Sequence, residues 1–474
     1  MELLLIGGDR VPATSRNTTQ LTDPATGEYW AEVAAADVED VDRAVQIAHQ
    51  MRTVWRNVNS RDRTQILLRL ATLIREQSES LAHLESRNVG KPIQEARDEV
   101  ALAADCFEYY AGAINKVGGQ TIPVAAGGTC LTFREPIGVC GLIAPWNFPL
   151  VITAWKVAPA LAMGNTIVLK PASQTPLTAL RLAELALEAG VPAGVFNVIP
   201  GAGTVAGDAL IRHPLVRKVS FTGSTEIGSQ VMRVAADDIK RVTLELGGKS
   251  ANLIFADADL DTAIPRAMWS VLGNAGQDCC ARSRLLIQRP IYREVVERLG
   301  EQFKALKIGN PLDEETEIGA LVSQSHRDRV HDYINRGKTA GATLICGGNI
   351  PDRSPQGAYL QPTLFADVQP EMQIFQEEIF GPVLCAMPFD QEEAAIAIAN
   401  HSLYGLSGSI WTRDISRALR VAKAIETGVI SINTGHSVHL EAPFGGVKRS
   451  GLGRELGLSA LDHYSESKTV FIED

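Results

Sequence analysis

No stretch of the 474-residue chain reaches the roughly 18 to 20 uncharged apolar residues that a membrane span needs, which predicts no transmembrane helix. MELLLIGGDR lacks a basic leader and a small-residue cleavage site, and its apolar run is only about five residues, so it does not read as a secretory signal. Concentrated Lys and Arg are missing as well. The formal net charge is -10 and the signs are mixed along the chain, which argues against nucleic acid or an anionic membrane surface as partner. Cysteine is scarce and odd in number: Cys106, Cys130, Cys140, Cys279, Cys280, Cys346 and Cys385 follow no metal-ligand spacing. That pattern predicts no zinc or other metal site and no disulfide framework, and points to reduced thiols in a cytoplasmic protein. Internal repeats, low-complexity tracts and long charge runs are absent too.

What is present is core material. Hydrophobic residues make up 45% of the chain and charged residues 21%, the balance of a soluble globular protein. The length exceeds what one hydrophobic core serves, so two or more packed units are expected. After a short strand-rich start with turn chemistry at Asp23-Pro24 and Thr26-Gly27, the stretch to about residue 115 reads as helical. Ile66, Leu70, Leu73, Ile74, Leu81 and Leu84 recur at helical spacing from Arg61 onward, and Gly90 with Pro92 predicts the stop. From about Gly138, short β-branched strands (GVCGLIAP, TIVLK, VFNVI, RKVSFTGS) alternate with helical segments around Ala158, Leu180 and Ile227. Such alternation predicts a parallel sheet covered by helices, with ligands at the carboxyl ends of its strands. A second alternating region begins near Ser250, with ANLIF, SRLLI, ATLIC and GVISIN as strands. Thr121 to Arg134 reads as a hairpin around Gly127-Gly128 that stands off the body, with the C-terminal SKTVFIED as a candidate partner.

Three local clusters have the residue types for chemistry. PWNFP, Pro145 to Pro149, follows a strand: it is either a rigid turn or a means of locking the Asn147 amide where an oxyanion develops. SFTGSTEIG, Ser220 to Gly228, leaves a strand and opens a helix. It is either an ordinary Ser/Thr-capped start or an anion site at which Gly223 lets a phosphate approach free N–H groups. GQDCC, Gly276 to Cys280, puts a thiol in a polar turn, as a nucleophile requires, although a structural thiol is the commoner use of one cysteine. Glu245 ends the apolar strand of LELGGKS, where a carboxylate needs a salt bridge or a task as general base. GAGTVAG, Gly201 to Gly207, imitates a dinucleotide fingerprint but has one residue too many before its last glycine.

Read together and in order, PWNFP, LKPAS, FTGSTEIG, LELGGKS, GQDCC, EEIFGP and PFGGVKRSGLGRELG resemble the aldehyde dehydrogenase superfamily, in its non-acylating NAD(P)-dependent branch. The resemblance implies an α/β fold: a Rossmann-type cofactor domain (1–117 and 136–246), a second α/β catalytic domain (247–445) and a small β oligomerisation arm (118–135 and 458–474). Homodimers or homotetramers are expected. By the same resemblance Cys279 is the nucleophile, Asn147 with the Cys279 backbone N–H the oxyanion donor, and Glu245 the base that activates water. An aldehyde is attacked by the thiolate, hydride passes to NAD or NADP, and the remaining thioester is hydrolysed to the acid. Lys170 is expected at the adenosine ribose, Ser224 at the pyrophosphate, and Glu378 and Phe380 at the nicotinamide ribose and ring. Ile143, Ala144, Pro145, Trp146, Ser173, Gly203, Phe221, Gly223, Ile227, Leu246 and Gly247 complete the expected cofactor contacts.

Departures from the family pattern carry further expectations. Ser173 stands where NAD-preferring relatives often carry Glu, which predicts that NADP is accepted. Asp278, at the expected pocket floor, favours a cationic amino- or betaine-type aldehyde, with Phe148 and Trp155 as an aromatic wall. The alternative is a broad-specificity enzyme for aliphatic and aromatic aldehydes with Asp278 turned away. Cys280, Val438 and Phe444 are the remaining expected pocket residues, and His436, His439 and Glu441 lie at the expected entrance without assigned roles. Gly273 replaces the carboxylate-binding Arg of succinate-semialdehyde enzymes, which argues against an acidic semialdehyde. An acylating relative that passes its product to coenzyme A would lack Glu245.

Overall fold

The structure, a computed structural model, describes residues 1–351 and 356–473. Residues 352–355, inside the expected catalytic domain, and 474, the end of the expected arm, lie outside the described residues. Two α/β units and a small β arm make up the architecture, as the sequence leads one to expect. The expected strands all form, and so do the helices around Ala158, Leu180 and Ile227.

The first sheet has eight strands, of which the central five are parallel: Arg241–Glu245, Val216–Thr222, Val139–Ile143, Thr166–Lys170 and Phe196–Val198, in that spatial order. The chain runs outward from Val139–Ile143 through Thr166–Lys170 to Phe196–Val198. It then returns to place Val216–Thr222 on the other side of the strand it began with. The order therefore reverses between Val139–Ile143 and Val216–Thr222. At such a point the connections leave in opposite directions and open a crevice beyond the strand ends. PWNFP continues one of these two strands and FTGSTEIG the other. Near-complete burial of Val139, Cys140, Leu142, Val219 and Phe221 explains their apolar, β-branched character, since helices cover both faces of the sheet.

The second sheet has seven strands in the order Thr343–Cys346, Thr363–Ala366, Val383–Phe389, Arg284–Gln288, Ala251–Ile254, Gly408–Trp411 and Ser431–Ile432. All of its pairings are parallel except the first. The arm is antiparallel: Ser465–Ile472 pairs with Thr129–Pro136 along eight registered positions, and Thr121–Ile122 lies on the far side.

One element differs from expectation. The helix read from Arg61 to Gly90 is two helices, Ser60–Glu76 and Ser78–Val89, parted at Gln77 (φ -108°, ψ 18°). The side-chain oxygen of Gln77 accepts from Arg181 Nε at 3.0 Å and Nη2 at 2.8 Å, so a tertiary contact sits where the period alone suggests continuity. The expected stop holds, because Gly90 takes the left-handed conformation (φ 92°) that ends helices.

Helix packing ties the N-terminal segment to the cofactor-side sheet. Trp55 of the helix Val38–Arg56 is fully buried and donates its indole N–H to Leu161 O at 3.1 Å, at the end of the helix Pro149–Ala162. Trp55→Ala empties that site and removes one hydrogen bond to the Leu161 carbonyl, which keeps the Gly164 N–H at 3.0 Å. A loss of about 3–5 kcal/mol is expected, read as a lowered thermal unfolding midpoint with the strand content retained below it.

Candidate active site

The crevice beyond the reversed strands is a groove of about 960 Å³. Its walls come from both units: the segment after Val139–Ile143, the helix start after Val216–Thr222, Lys170, the segment 245–247, Cys279, and Glu378 with Phe380. Asn147, Glu245 and Cys279 all line it. So do all the expected cofactor residues except Ser173. The Ser173 hydroxyl instead donates to Gly201 O at 2.8 Å. The turn that fails the dinucleotide fingerprint nevertheless contributes, because Gly203–Gly207 forms one π-helical turn whose Gly203, Thr204 and Gly207 border the groove.

Asn147 is fixed through its backbone. Its carbonyl oxygen accepts from Lys91 Nζ at 2.8 Å and from Asn274 Nδ2 at 2.9 Å, and Lys91 is itself paired with Glu99 at 2.6 Å. Its side-chain Nδ2 donates one proton to Gln277 O at 2.8 Å, which leaves the other proton available. The following helix begins at Pro149, and Glu85 takes the orphan N–H of Leu150 at 3.1 Å.

The nucleophile candidate rides on a tight loop. Asn274 and Ala275 are left-handed (φ 49° and 52°), and Gly276 follows at φ 75°. Any Cβ on Gly276 would collide with Gly381 O, and any Cβ on Gly248 with Cys279 O. A side chain at Gly248 would push the loop away from the strand end that carries Glu245, and one at Gly276 would push it away from Gly381. The motifs GQDCC, LELGGKS and EEIFGP are thus three surfaces of one close backbone contact. No acceptor pairs with the Cys279 N–H among the described residues.

Electrostatics at the site are those of buried charge. Glu245 is buried with Oε2 unpartnered, and burial together with Glu455 pushes its carboxyl well above the ordinary range. Glu455 pairs with the buried Lys156, which also donates to Ser220 Oγ at 3.0 Å. Burial pushes Glu378 up to about 7 although Gly248 N–H donates to it at 2.9 Å. Lys170 is buried and, among the described residues, donates only to the carbonyls of Pro171 (2.7 Å) and Gly201 (3.3 Å); burial pushes it down to about 8. A buried cation facing a groove without a carboxylate partner suits an anionic or polyhydroxyl ligand.

Of the expected aromatic wall, Phe148 borders the groove and Trp155 does not. Trp155 is buried and packs edge-on against Phe444 (ring centroids 5.3 Å apart), outside the groove. Phe148 lines the groove, but the Lys91 ammonium already sits over its ring at 4.5 Å. A second cation there would meet a like charge. Asp278 does not line the groove; its Oδ1 accepts the Cys280 N–H at 2.8 Å. Cys280, Phe444 and Trp155 belong to one apolar cluster, against which Phe148, Cys279 and Val438 pack.

Sequence reasoning missed several groove residues. Asp208 and Arg212 border it at one end, and Ser323, Ser325, His326 and Arg329 approach from the second unit. His326 stands edge-on to Trp146 (5.2 Å), with Nε2 at 2.7 Å from Phe380 O, and burial pushes it down to about 4, so the ring is neutral at pH 7. In the sequence, SQSH reads only as a helix cap at Ser323, a role it also has.

Comparison with known proteins agrees with this geometry. The aldehyde dehydrogenase family profile matches residues 11–470. The chain belongs to the aldehyde dehydrogenase family. It is 45% identical over 476 residues to human mitochondrial aldehyde dehydrogenase, covering 99% of this chain and 92% of that protein. The structure of a Bacillus cereus aldehyde dehydrogenase in complex with NAD+ superposes with a TM-score of 0.98 at 44% identity, covering 100% of this chain and 96% of that one. A Staphylococcus aureus betaine aldehyde dehydrogenase structure with NAD+ superposes with a TM-score of 0.97 at 38% identity, covering 99% and 97%. This aldehyde dehydrogenase is therefore an NAD(P)-dependent oxidoreductase acting on aldehydes, with a Rossmann-type cofactor unit. No helix among the described residues is long and apolar enough to cross a membrane.

The close contact at Gly248 gives a direct test. Gly248→Ala should displace the Cys279 loop and lower kcat by on the order of 100-fold, with the circular dichroism spectrum unchanged.

Proposed function

We propose that this enzyme oxidises aldehydes with apolar aliphatic or aromatic substituents to carboxylic acids, with Cys279 as nucleophile, Asn147 and the Cys279 N–H as oxyanion donors, and Glu245 as the base that activates water. The observation that carries the reading is that these three residues line one groove, with Cys279 packed against the apolar core to which Trp155, Cys280 and Phe444 belong. The bound cofactor supplies the hydride acceptor. Lys170 would hold its adenosine end, Ser224 and the helix start at Thr225 its pyrophosphate, and Glu378 its nicotinamide ribose. The Cys279 sulfur attacks the carbonyl carbon, and the second Asn147 amide proton and the Cys279 N–H receive the developing oxyanion. Glu245, its carboxylate poised by burial, then takes a proton from the water that hydrolyses the acyl-sulfur bond.

A cationic amino- or betaine-type aldehyde is the second reading. The likeness to a betaine aldehyde dehydrogenase and the carboxylate of Asp278 favour it. Lys91 over Phe148 and the tie of Asp278 to its own loop favour the apolar reading. Hexanal and benzaldehyde are expected to give higher kcat/KM than betaine aldehyde or 4-aminobutyraldehyde; the reverse ranking overturns the apolar assignment. Asn147→Ala should lower kcat by about 100- to 1000-fold, and Cys279→Ser should abolish turnover in an NAD(P)H absorbance assay.

We further infer that both NAD and NADP serve. Ser173 contributes no negative charge beside Lys170, and burial is the cause that lowers the Lys170 ammonium. A lysine is charged below its pKa, so its attraction for a 2′-phosphate is fully present below about 8 and fades above it. The Kd for NADP should therefore weaken as pH rises from 7 to 9 while that for NAD changes less, as measured by fluorescence titration; rejection of NADP at pH 7 would sink the inference. The exposed Phe133 and Phe471 on the arm support assembly into a homodimer or homotetramer, which sedimentation velocity can test. Seven free cysteines support a reducing, cytoplasmic setting.

A further inference from the structure

The turn that leads into Cys279 is held from the other unit by a carboxylate with no part in the chemistry above. Glu95 lies in the first turn of the helix Ile93–Ala113, on the N-terminal side of the molecule, and does not line the groove. An acid at that position ordinarily serves its own helix start. Here its Oε2 accepts the Asn274 N–H of the second unit at 2.8 Å. Asn274 (φ 49°) and Ala275 (φ 52°) are successive left-handed residues, neither of them glycine, and such a pair persists only where its surroundings hold it. A carboxylate on the first of the two amides is a charge-assisted hold.

Asn274 passes that hold on in two directions. Its Nδ2 donates to Asn147 O at 2.9 Å and to Gln277 O at 3.3 Å, and its carbonyl accepts from Gln277 N and Gln277 Nε2, both at 3.0 Å. Gln277 O in turn accepts the Asn147 side-chain amide at 2.8 Å. The Asn147 amide and the Cys279 N–H therefore take their places from one turn, and Glu95 fastens it. The charged groups around Glu95 are Lys91, Asp98 and Glu99 on its own helix and Asp278 on the Cys279 turn. Lys91 is paired with Glu99, on which Glu85 of the helix Ser78–Val89 also acts, and Arg97 is paired with Glu79 and Glu314. Burial, aided by Asp278 and Asp98, pushes the Glu95 carboxyl up to about 7 against the pull of Lys91 and the Asn274 N–H.

Resting on Asn147 and the Cys279 N–H as oxyanion donors, we propose that Glu95 is a positioning residue for the reaction: by holding the Asn274 amide across the seam between the units, it fixes the two donors relative to each other. Set off from the groove, it acts through Asn274. Loss of the hold lets the left-handed turn relax, and the donors drift apart while the cofactor walls stay in place. Both donors serve the developing oxyanion and not the bound aldehyde, so kcat carries the effect and KM does not. Protonated Glu95 still offers a carbonyl oxygen as a neutral acceptor, whereas the ionised form gives the stronger bond. The carboxylate is present above about 7, so the hold tightens as pH rises through that value and slackens as pH falls.

The test is steady-state turnover of hexanal with NAD+ by wild type, E95A and E95Q from pH 6 to 9, with the cofactor Kd read by fluorescence titration. E95A should lower kcat about 10- to 100-fold, while KM for hexanal and Kd for NAD+ stay within about twofold of wild type. Glutamine is a neutral acceptor, so E95Q should match wild type at pH 6 and fall about threefold behind it at pH 8.5. The ratio of these two enzymes cancels the titrating groups they share. In an N147A background, where one donor is already gone, E95A should cost no more than about threefold. Four results overturn the positioning role: E95A turning over at the wild-type rate, a loss carried by KM or Kd, a wild-type to E95Q ratio that is flat with pH, or full multiplication of the E95A and N147A losses. Failure of the underlying oxyanion reading has a different signature: N147A would keep the wild-type kcat, whatever E95A does.

Discussion

Gly248 and Gly276 stand where the backbone of the Cys279 loop presses against its surroundings, one beneath the Cys279 carbonyl and the other beneath Gly381. Every other feature of the site depends on that approach. It brings a loop from the second α/β unit against the strand end of the first, so that the Cys279 sulfur faces the crevice made by the reversal of strand order. Left-handed Asn274 and Ala275 are the strained segment that accommodates the turn. The Asn274 side chain holds it by reaching Asn147 O, and Gln277 holds it by accepting the Val322 N–H at 2.8 Å.

The second organising constraint is buried charge. Lys91–Glu99 and Lys156–Glu455 are ion pairs sealed behind the groove, and each touches a residue next to the chemistry: the first the Asn147 carbonyl, the second the surroundings of Glu245. Pairs of this kind contribute little net stability, since desolvation offsets most of their attraction. Their value here is orientation and electrostatic tuning. Lys170 and Glu378 have weaker compensation and sit where a ligand would complete it. The groove is thus prepared for a ligand with negative charge at one end and hydroxyls at the other.

Much of this was legible from residues alone. β-branched runs alternating with helical segments gave the parallel sheets, because strands buried on both faces must be apolar throughout. The hairpin around Gly127-Gly128 and its C-terminal partner were also readable, from the extended runs that flank two glycines. The break at Gln77 was not, since the helical period passes through it and the cause, Arg181, is distant in the chain. Nor were the contacts of Asp278, Phe148 and Trp155 with the Cys280 amide, Lys91 and Phe444, since residue type alone names no partner.

By itself, then, the sequence determined the chemistry available: a thiol, an amide and a carboxylate on loops that follow strands, with glycines where backbones must meet closely. These are local properties, set by residue type and spacing. Tertiary structure alone decided which groups became partners, as with His326 against Trp146 and the acidic pair Asp278 and Glu378 around one small cavity. Charge and ring contacts act through space over a few ångströms, between positions that the chain separates by a hundred residues or more.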